Sequence, residues 1–111
     1  MTPAEVAQAQ LDAYNAQDLD WYCSFFTDDV VVADVGGAVT SEGMAAYRAR
    51  YEGAFAKFPN NKAELVNRIV LGGAVIDHER VLRGDGETAP FEVAAIYTFR
   101  GEKIARVDFA K

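Results

Sequence analysis

Gly72-Gly73 separates two runs, Lys62–Leu71 and Ala74–Arg83, each long enough for a full strand and rich in branched aliphatic residues. A two-residue glycine connection folds such runs back on each other as a tight hairpin, because glycine accepts the positive φ that these turns need. The turn also fixes the register: Ile69 opposes Ile76, Asn67 opposes His78 and Leu65 opposes Arg80. Strand side chains alternate between two faces. Leu65, Asn67, Ile69, Leu71, Ile76 and His78 therefore share one face, while Glu64, Val66, Arg68, Val70, Val75, Asp77, Glu79 and Val81 share the other. The first face is the more apolar near the turn and is predicted to point inward. Arg68 and Asp77 then meet on the outer face, where an exposed ion pair adds little. The valines of that outer face need a cover, most simply the sheet of a second copy, so a homodimer through the outer sheet face is predicted.

Two further strands follow. In Ala89–Arg100 the residues Phe91, Val93, Ala95, Tyr97 and Phe99 alternate and mark a core face. Lys103–Ala110 has two registers open to it. Placing Ala105, Val107 and Phe109 beside Tyr97 is preferred, because the other register would bring Arg106 and Asp108 inward. Helical patterns precede the strands. Thr2-Pro3-Ala4-Glu5 has the form of a capping box with proline at the first helical position. Val6, Ala7, Gln10, Leu11 and Tyr14 then share one face at a 3.6-residue period. Asp18 caps a short helix from Leu19 to about Phe26, and Thr27-Asp28-Asp29 turns the chain into the β-branched run that ends in Asp34 and Gly36-Gly37. Ser41 is placed to cap a third helix, whose stripe of Met44, Tyr47, Tyr51, Phe55 and Phe58 stops at Pro59. Three helices followed by mainly antiparallel strands describe one α+β domain, residues 1–111, with a curved sheet wrapped around a long helix.

Composition narrows the function classes. Seventeen acidic against eleven basic residues give a net charge of −6, which disfavours nucleic acid or an anionic membrane as partner. MTPAEVAQAQ lacks the basic and apolar regions of a signal peptide, and no apolar run approaches membrane-spanning length, so a cytoplasmic protein is expected. A lone Cys23 allows no internal disulfide and no multi-cysteine zinc site, and one histidine with scattered carboxylates points to no metal. No Gly-rich phosphate loop, HExxH or GxSxG is present, so no cofactor is expected.

What remains is a set of polar side chains on apolar faces: Gln10, Asp34, Asn67, His78 and Tyr97. With the rings of Tyr14, Trp21, Phe25, Tyr47, Tyr51 and Phe55, and with Val107 and Phe109, they describe a pocket for a small apolar molecule. Asp34 follows Val30 and Val32 at alternate positions, and a carboxylate in apolar surroundings gains basicity. It is the expected general base, taking a proton next to a carbonyl. Tyr97 or Gln10 would donate to the enolate oxygen and His78 would return the proton. A cross-strand hydrogen bond from His78 to Asn67 is the structural alternative. This chemistry requires Asp34 to face the pocket; with Asp34 in solvent it fails.

The runs YNAQDLDWYCSFFTDDVVVADVGG and SEGMAAYRARYEGAF, followed by the hairpin and the Val/Ile/Phe strands, resemble the SnoaL-like branch of the nuclear transport factor two-like superfamily. The resemblance spans nearly the whole chain, and its most specific segment is N-A-x-D-L-D…F-x-D-D-V. It implies a cone-shaped α+β barrel, usually dimeric, with a ligand cavity between helices and sheet. Members include ketosteroid isomerases, polyketide cyclases, epoxide hydrolases, dehydratases and non-catalytic binding domains, so the resemblance carries the fold further than the activity. Set against the isomerases, the catalytic aspartate falls on Asp34 and the supporting tyrosine of the third helix on Tyr51. Their first-helix tyrosine falls on Gln10 and their late-strand aspartate on Tyr97, while His78 occupies a position that is apolar in them. The resemblance therefore implies an isomerase, cyclase or dehydratase with a remodelled oxyanion hole. The alternative is a non-catalytic ligand-binding or accessory dimeric domain.

Overall fold

A computed structural model describes residues 1–111. Three helices, α1 (Pro3–Ala16), α2 (Leu19–Cys23) and α3 (Met44–Lys57), are combined with six strands. These are β1 (Phe26–Asp34), β2 (Val39–Glu42), β3 (Lys62–Leu71), β4 (Ala74–Leu82), β5 (Phe91–Arg100) and β6 (Lys103–Ala110). The strands form one curved sheet in the order β2-β1-β6-β5-β4-β3. All neighbours are antiparallel except β1 and β6, which run parallel. No helix is long and apolar enough to cross a membrane.

The start of α1 is built as its sequence dictates. The Glu5 N–H donates to the Thr2 hydroxyl at 3.2 Å and the Thr2 N–H donates to the Glu5 carboxylate at 2.8 Å, satisfying two orphan donors reciprocally. Gln17, at φ 55°, ends the helix in the left-handed region. Asp18 caps α2 through the Trp21 N–H, but α2 stops at Cys23, short of the expected Phe26. Phe26 opens β1 instead, pairing with Ile104, and Thr27-Asp28-Asp29 is an irregular stretch within that strand, not a turn. Ser41 does not cap α3. It lies in β2, a short strand pairing with β1, and Gly43 at φ 85° makes the turn into α3.

The hairpin keeps its expected register from Leu71↔Ala74 to Asn67↔His78. A bulge at Val66 then places Leu65 opposite Glu79 and Glu64 opposite Arg80, correcting the expected Leu65–Arg80 pair. The larger correction is the face. Val75, Asp77, Glu79 and Val81 are the buried residues of β4, while Leu65, Asn67, Ile69 and Leu71 are exposed. Arg68 makes this possible. Its Nε and Nη2 donate to the two Asp77 carboxylate oxygens at 2.7 and 2.9 Å, and its Nη1 donates to Gln8 Oε1 at 3.1 Å. A carboxylate held in a bidentate fork can be enclosed at a cost an unpaired one cannot meet. Asp77 is 0% exposed.

A second bulge settles β6. Gly101-Glu102 makes a two-residue turn with Phe99 opposite Ile104, and the ladder then slips so that Val107 faces Tyr97 and Phe109 faces Ala95. Val107 and Phe109 thus reach the inner face as expected, by way of a bulge that leaves Ala105 without a partner on β5. Arg106 and Asp108 pair with each other away from it.

The core lies between the helices and this inner face, around Val6, Tyr22, Phe26, Val30, Val32, Tyr47 and Ile104. Tyr22 and Tyr47 stack at 5.9 Å and share a 2.7 Å hydroxyl–hydroxyl hydrogen bond. A buried phenol pair satisfied in this way keeps its packing contribution without an orphaned polar group.

Candidate active site

Between α1, α3 and the inner sheet face lies a cavity of about 170 Å³. Tyr14, Tyr22, Tyr47 and Tyr51 close its helical side, and Val81, Val93, Val107 and Phe109 supply apolar wall from the sheet. Its polar groups are few: Gln10, Glu79 and Tyr97, with Arg50, Arg83 and Lys111 also in the lining.

Gln10 projects from the buried stripe of α1. Its Nε2 donates to the Ala7 carbonyl and to the Tyr97 hydroxyl oxygen, each at 3.0 Å. That amide thereby fixes the phenol and leaves the phenolic proton free to donate elsewhere. Burial raises the Tyr97 pKa well above 10, and the charges of Glu79 and Asp77 push it the same way. Tyr97 is a neutral donor at any physiological pH.

Glu79 is the exceptional group. It is 8% exposed, it opens on the cavity, and its carboxyl takes part in no hydrogen bond within the chain. Burial raises its pKa to about 7, with the Asp77 charge adding to the rise and Arg68 opposing it. Desolvation disfavours the charged form, and a like charge two residues along the same strand face does so again. A carboxyl that titrates near neutrality in an apolar cavity is suited to accept and return protons. Near the rim, Arg83 donates to Asn61 Oδ1 at 3.0 Å, and Asn61 Nδ2 donates to the Tyr14 hydroxyl at 2.7 Å.

Of the residues expected in the site, Gln10, Tyr97, Tyr14, Tyr47, Tyr51, Val107 and Phe109 come together around the cavity. Asp34 does not. The β1–β2 ladder slips between Val32 and Ala33, Ala33 is fully buried, and Asp34 is exposed at the strand end. Its backbone closes the turn into β2, the N–H donating to Ala38 O at 3.0 Å and the carbonyl accepting from Gly37 N–H at 2.9 Å. His78 is also outside. It lies on the opposite sheet face, hydrogen-bonded to Glu92, and Asn67 beside it is exposed. Trp21 is 42% exposed and packs on Phe25, away from the cavity, while Phe55 backs Tyr14 at 5.7 Å without lining it. Glu79 and Arg83 are functional candidates that the hairpin face assignment concealed, and Arg50, on α3, was missed because it lies off the helix's aromatic stripe. The available signal was Arg68 directly opposite Asp77, a ready partner that lets the acidic face turn inward. No three His, Cys, Asp or Glu side chains assemble into a metal-ligating cluster.

Residues 7–107 match the SnoaL-like domain family. The chain belongs to the SnoaL-like family. Among solved structures, this SnoaL-like chain is similar to an uncharacterized cystatin-fold protein from Novosphingobium aromaticivorans. The two share 41% identity over 100% of this chain and 99% of the other, at a TM-score of 0.93. A SnoaL-like protein of unknown function from Burkholderia thailandensis has 18% identity over 99% and 97%, at TM-score 0.82. A protein from Sinorhizobium meliloti named as a candidate polyketide cyclase has 24% identity over 96% and 94%, at TM-score 0.80. Those two likenesses concern the fold alone. Among curated proteins, none matches the chain.

Proposed function

We propose that the SnoaL-like cavity is a cofactor-independent acid/base site for a small carbonyl compound. Glu79 removes the proton α to the carbonyl, Tyr97 donates to the developing enolate oxygen, and Gln10 holds the Tyr97 hydroxyl in place. Return of the proton to another carbon gives isomerisation, and attack of the enolate on an internal carbonyl gives cyclisation, the kind of reaction for which the Sinorhizobium meliloti protein is named. The observation that carries this reading is Glu79 itself: a buried carboxyl with no hydrogen-bond partner in the chain, its pKa raised to about 7 by burial, on the same sheet face as an immobilised phenol. A structural carboxylate at that depth is ordinarily paired. Asp77 is so paired, and Glu79 is not.

The test is α-hydrogen exchange of phenylacetone in D2O, followed by NMR. The wild-type chain is expected to accelerate exchange over buffer, and Glu79→Gln to remove on the order of 10²–10⁴-fold of that acceleration. Asp34→Asn is expected to leave it unchanged. Exchange that survives Glu79→Gln, or that disappears with Asp34→Asn, would overturn the assignment.

We also infer a homodimer through the outer sheet face. With the hairpin faces exchanged, that surface carries Ile69, Leu71 and Ile76 where valines were expected, and Leu71 is 69% exposed. A contiguous apolar face on a soluble chain marks an interaction surface. Light scattering is expected to give twice the chain mass, and Ile69→Lys to give monomer. A monomeric wild type removes the inference.

A further inference from the structure

We propose that the cavity accepts molecules with a carboxylate at one end of an apolar body, and that Arg83, with Arg50, receives that carboxylate at the rim. Of the acid/base reading, this inference uses only the position assigned to the reacting end of the ligand.

Arg83 follows β4 on the same strand face as Glu79, four residues farther along, about 13 Å at 3.3 Å per residue. Tyr97 pairs opposite Val75, at the other end of that row. The polar groups of the inner face therefore run in sequence: a phenol deep in the cavity, a carboxyl in the middle and a guanidinium at the rim. Arg83 is held in place before any ligand arrives. One Nη donates to Asn61, and the guanidinium stacks on Phe58 at 4.5 Å and on Phe91 at 5.1 Å. Arg50 lies over Phe109 at 5.7 Å and donates to the Thr40 hydroxyl at 3.3 Å. Neither guanidinium has a carboxylate partner. Of the five other arginines, Arg48, Arg68, Arg100 and Arg106 are each paired with an aspartate, and Arg80, exposed on β4, is not. Arg83, Arg50 and Lys111 thus line an aromatic cavity without a carboxylate partner, and the two guanidiniums, each lying over two rings, present open donors to whatever enters.

A guanidinium fork matches a carboxylate in shape and charge and binds it through paired, charge-assisted hydrogen bonds. The inner carboxyl contributes to the selection from the other side. Negative charge at the Glu79 end is repelled by that group and by Asp77 behind it, so an anionic ligand enters with its charged end outward. Its apolar body then lies along the wall, with its carbonyl past Glu79 and toward the deeper Tyr97 hydroxyl.

The experiment compares 4-oxo-4-phenylbutanoate with its neutral primary amide, two probes that differ only in the charge of one end. Dissociation constants come from NMR titration at low salt, and exchange of the hydrogens α to the ketone is followed in D2O on the same samples. The acid is expected to bind about tenfold more tightly than the amide, the scale of charge-assisted hydrogen bonds at a partly exposed site. Arg83→Gln and Arg50→Gln are each expected to bring the two probes toward parity. Arg50 is exposed on α3, so its variant preserves the test should Arg83→Gln lose stability with its stacking. Equal binding of acid and amide, no binding of the acid at millimolar concentration, or a preference that survives both substitutions would overturn the proposal. A clear preference for the acid without any exchange supports the carboxylate site and sinks the acid/base reading alone. Exchange of the amide with no preference for the acid does the reverse.

Discussion

Glu79→Gln is expected to stabilise the folded chain, by an amount that grows with pH. The folded-state pKa of Glu79 is raised from 4.5 to about 7. Across that window the folded chain binds its proton more tightly than the unfolded chain does, so stability falls as pH rises from about 4.5 to about 7 and levels off above. Glutamine keeps the shape and carries no charge. At pH 5 the wild-type side chain is itself neutral when folded, and the two proteins are expected to differ little. At pH 8.5 the wild type holds a buried carboxylate, and the variant is expected to be more stable by about 3 kcal/mol at most, the shift converted at 1.36 kcal/mol per pKa unit. Urea unfolding at the two pH values measures the difference. A gain of equal size at both values would mean that packing and not ionisation is responsible. The same variant is expected to lose α-exchange, so one substitution trades activity for stability, as sites built around a destabilised group do.

The second large effect belongs to Arg68. Arg68→Met leaves Asp77 buried without its partner, and removing one member of a buried ion pair costs about 3–5 kcal/mol. The double variant Arg68→Met/Asp77→Leu is expected to recover most of that loss, because no charge then remains to be satisfied. Denaturant midpoints measure both. Recovery failing in the double variant would show that the pair is needed for more than mutual neutralisation. Arg68 also opposes the rise in the Glu79 pKa. Should Arg68→Met remain folded, its exchange-rate profile is expected to shift to higher pH than that of the wild type, an effect that lost packing alone does not produce.

Much of this was legible in the sequence. The capping box at Thr2 and Glu5, the Gly72-Gly73 turn and the α3 stripe from Met44 to Phe55 are local signals, and each forms as read, although Phe58 falls just past the helix end. Gln10 and Tyr97 were identifiable as polar groups on otherwise apolar faces, and they meet across 87 residues of sequence. The errors arose where tertiary pairing outweighs local pattern. The hairpin turn fixes which residues oppose each other but not which face of the pair is buried. Apolar count near the turn favoured Ile69 and Leu71, whereas β3 is an edge strand whose tip extends beyond the helices' cover. Along β4 the buried face carries two acids. Burying Asp77 depends on Arg68 from the next strand, and burying Glu79 depends on the empty space beside it. Asp34 was misplaced for a related reason: it keeps step with Val32 along β6, opposite Phe109, but it sits at the exposed end of β1, and alternation assigns a face without saying where cover ends. Bulges at Val66 and between Thr98 and Phe99 are likewise invisible to periodicity.

The reading of the cavity depends on one carboxyl, and its ionisation can be observed without knowing the substrate. A ¹³C NMR titration of the wild-type chain labelled at glutamate side-chain carboxyls, with the Glu79 resonance assigned by its absence in Glu79→Gln, measures it directly. The expected result is a single midpoint near 7, coinciding with the midpoint at which exchange activity rises. A Glu79 midpoint at the ordinary value near 4.5 would show a carboxylate that is solvated or paired, and would contradict Glu79 as the base of the cavity.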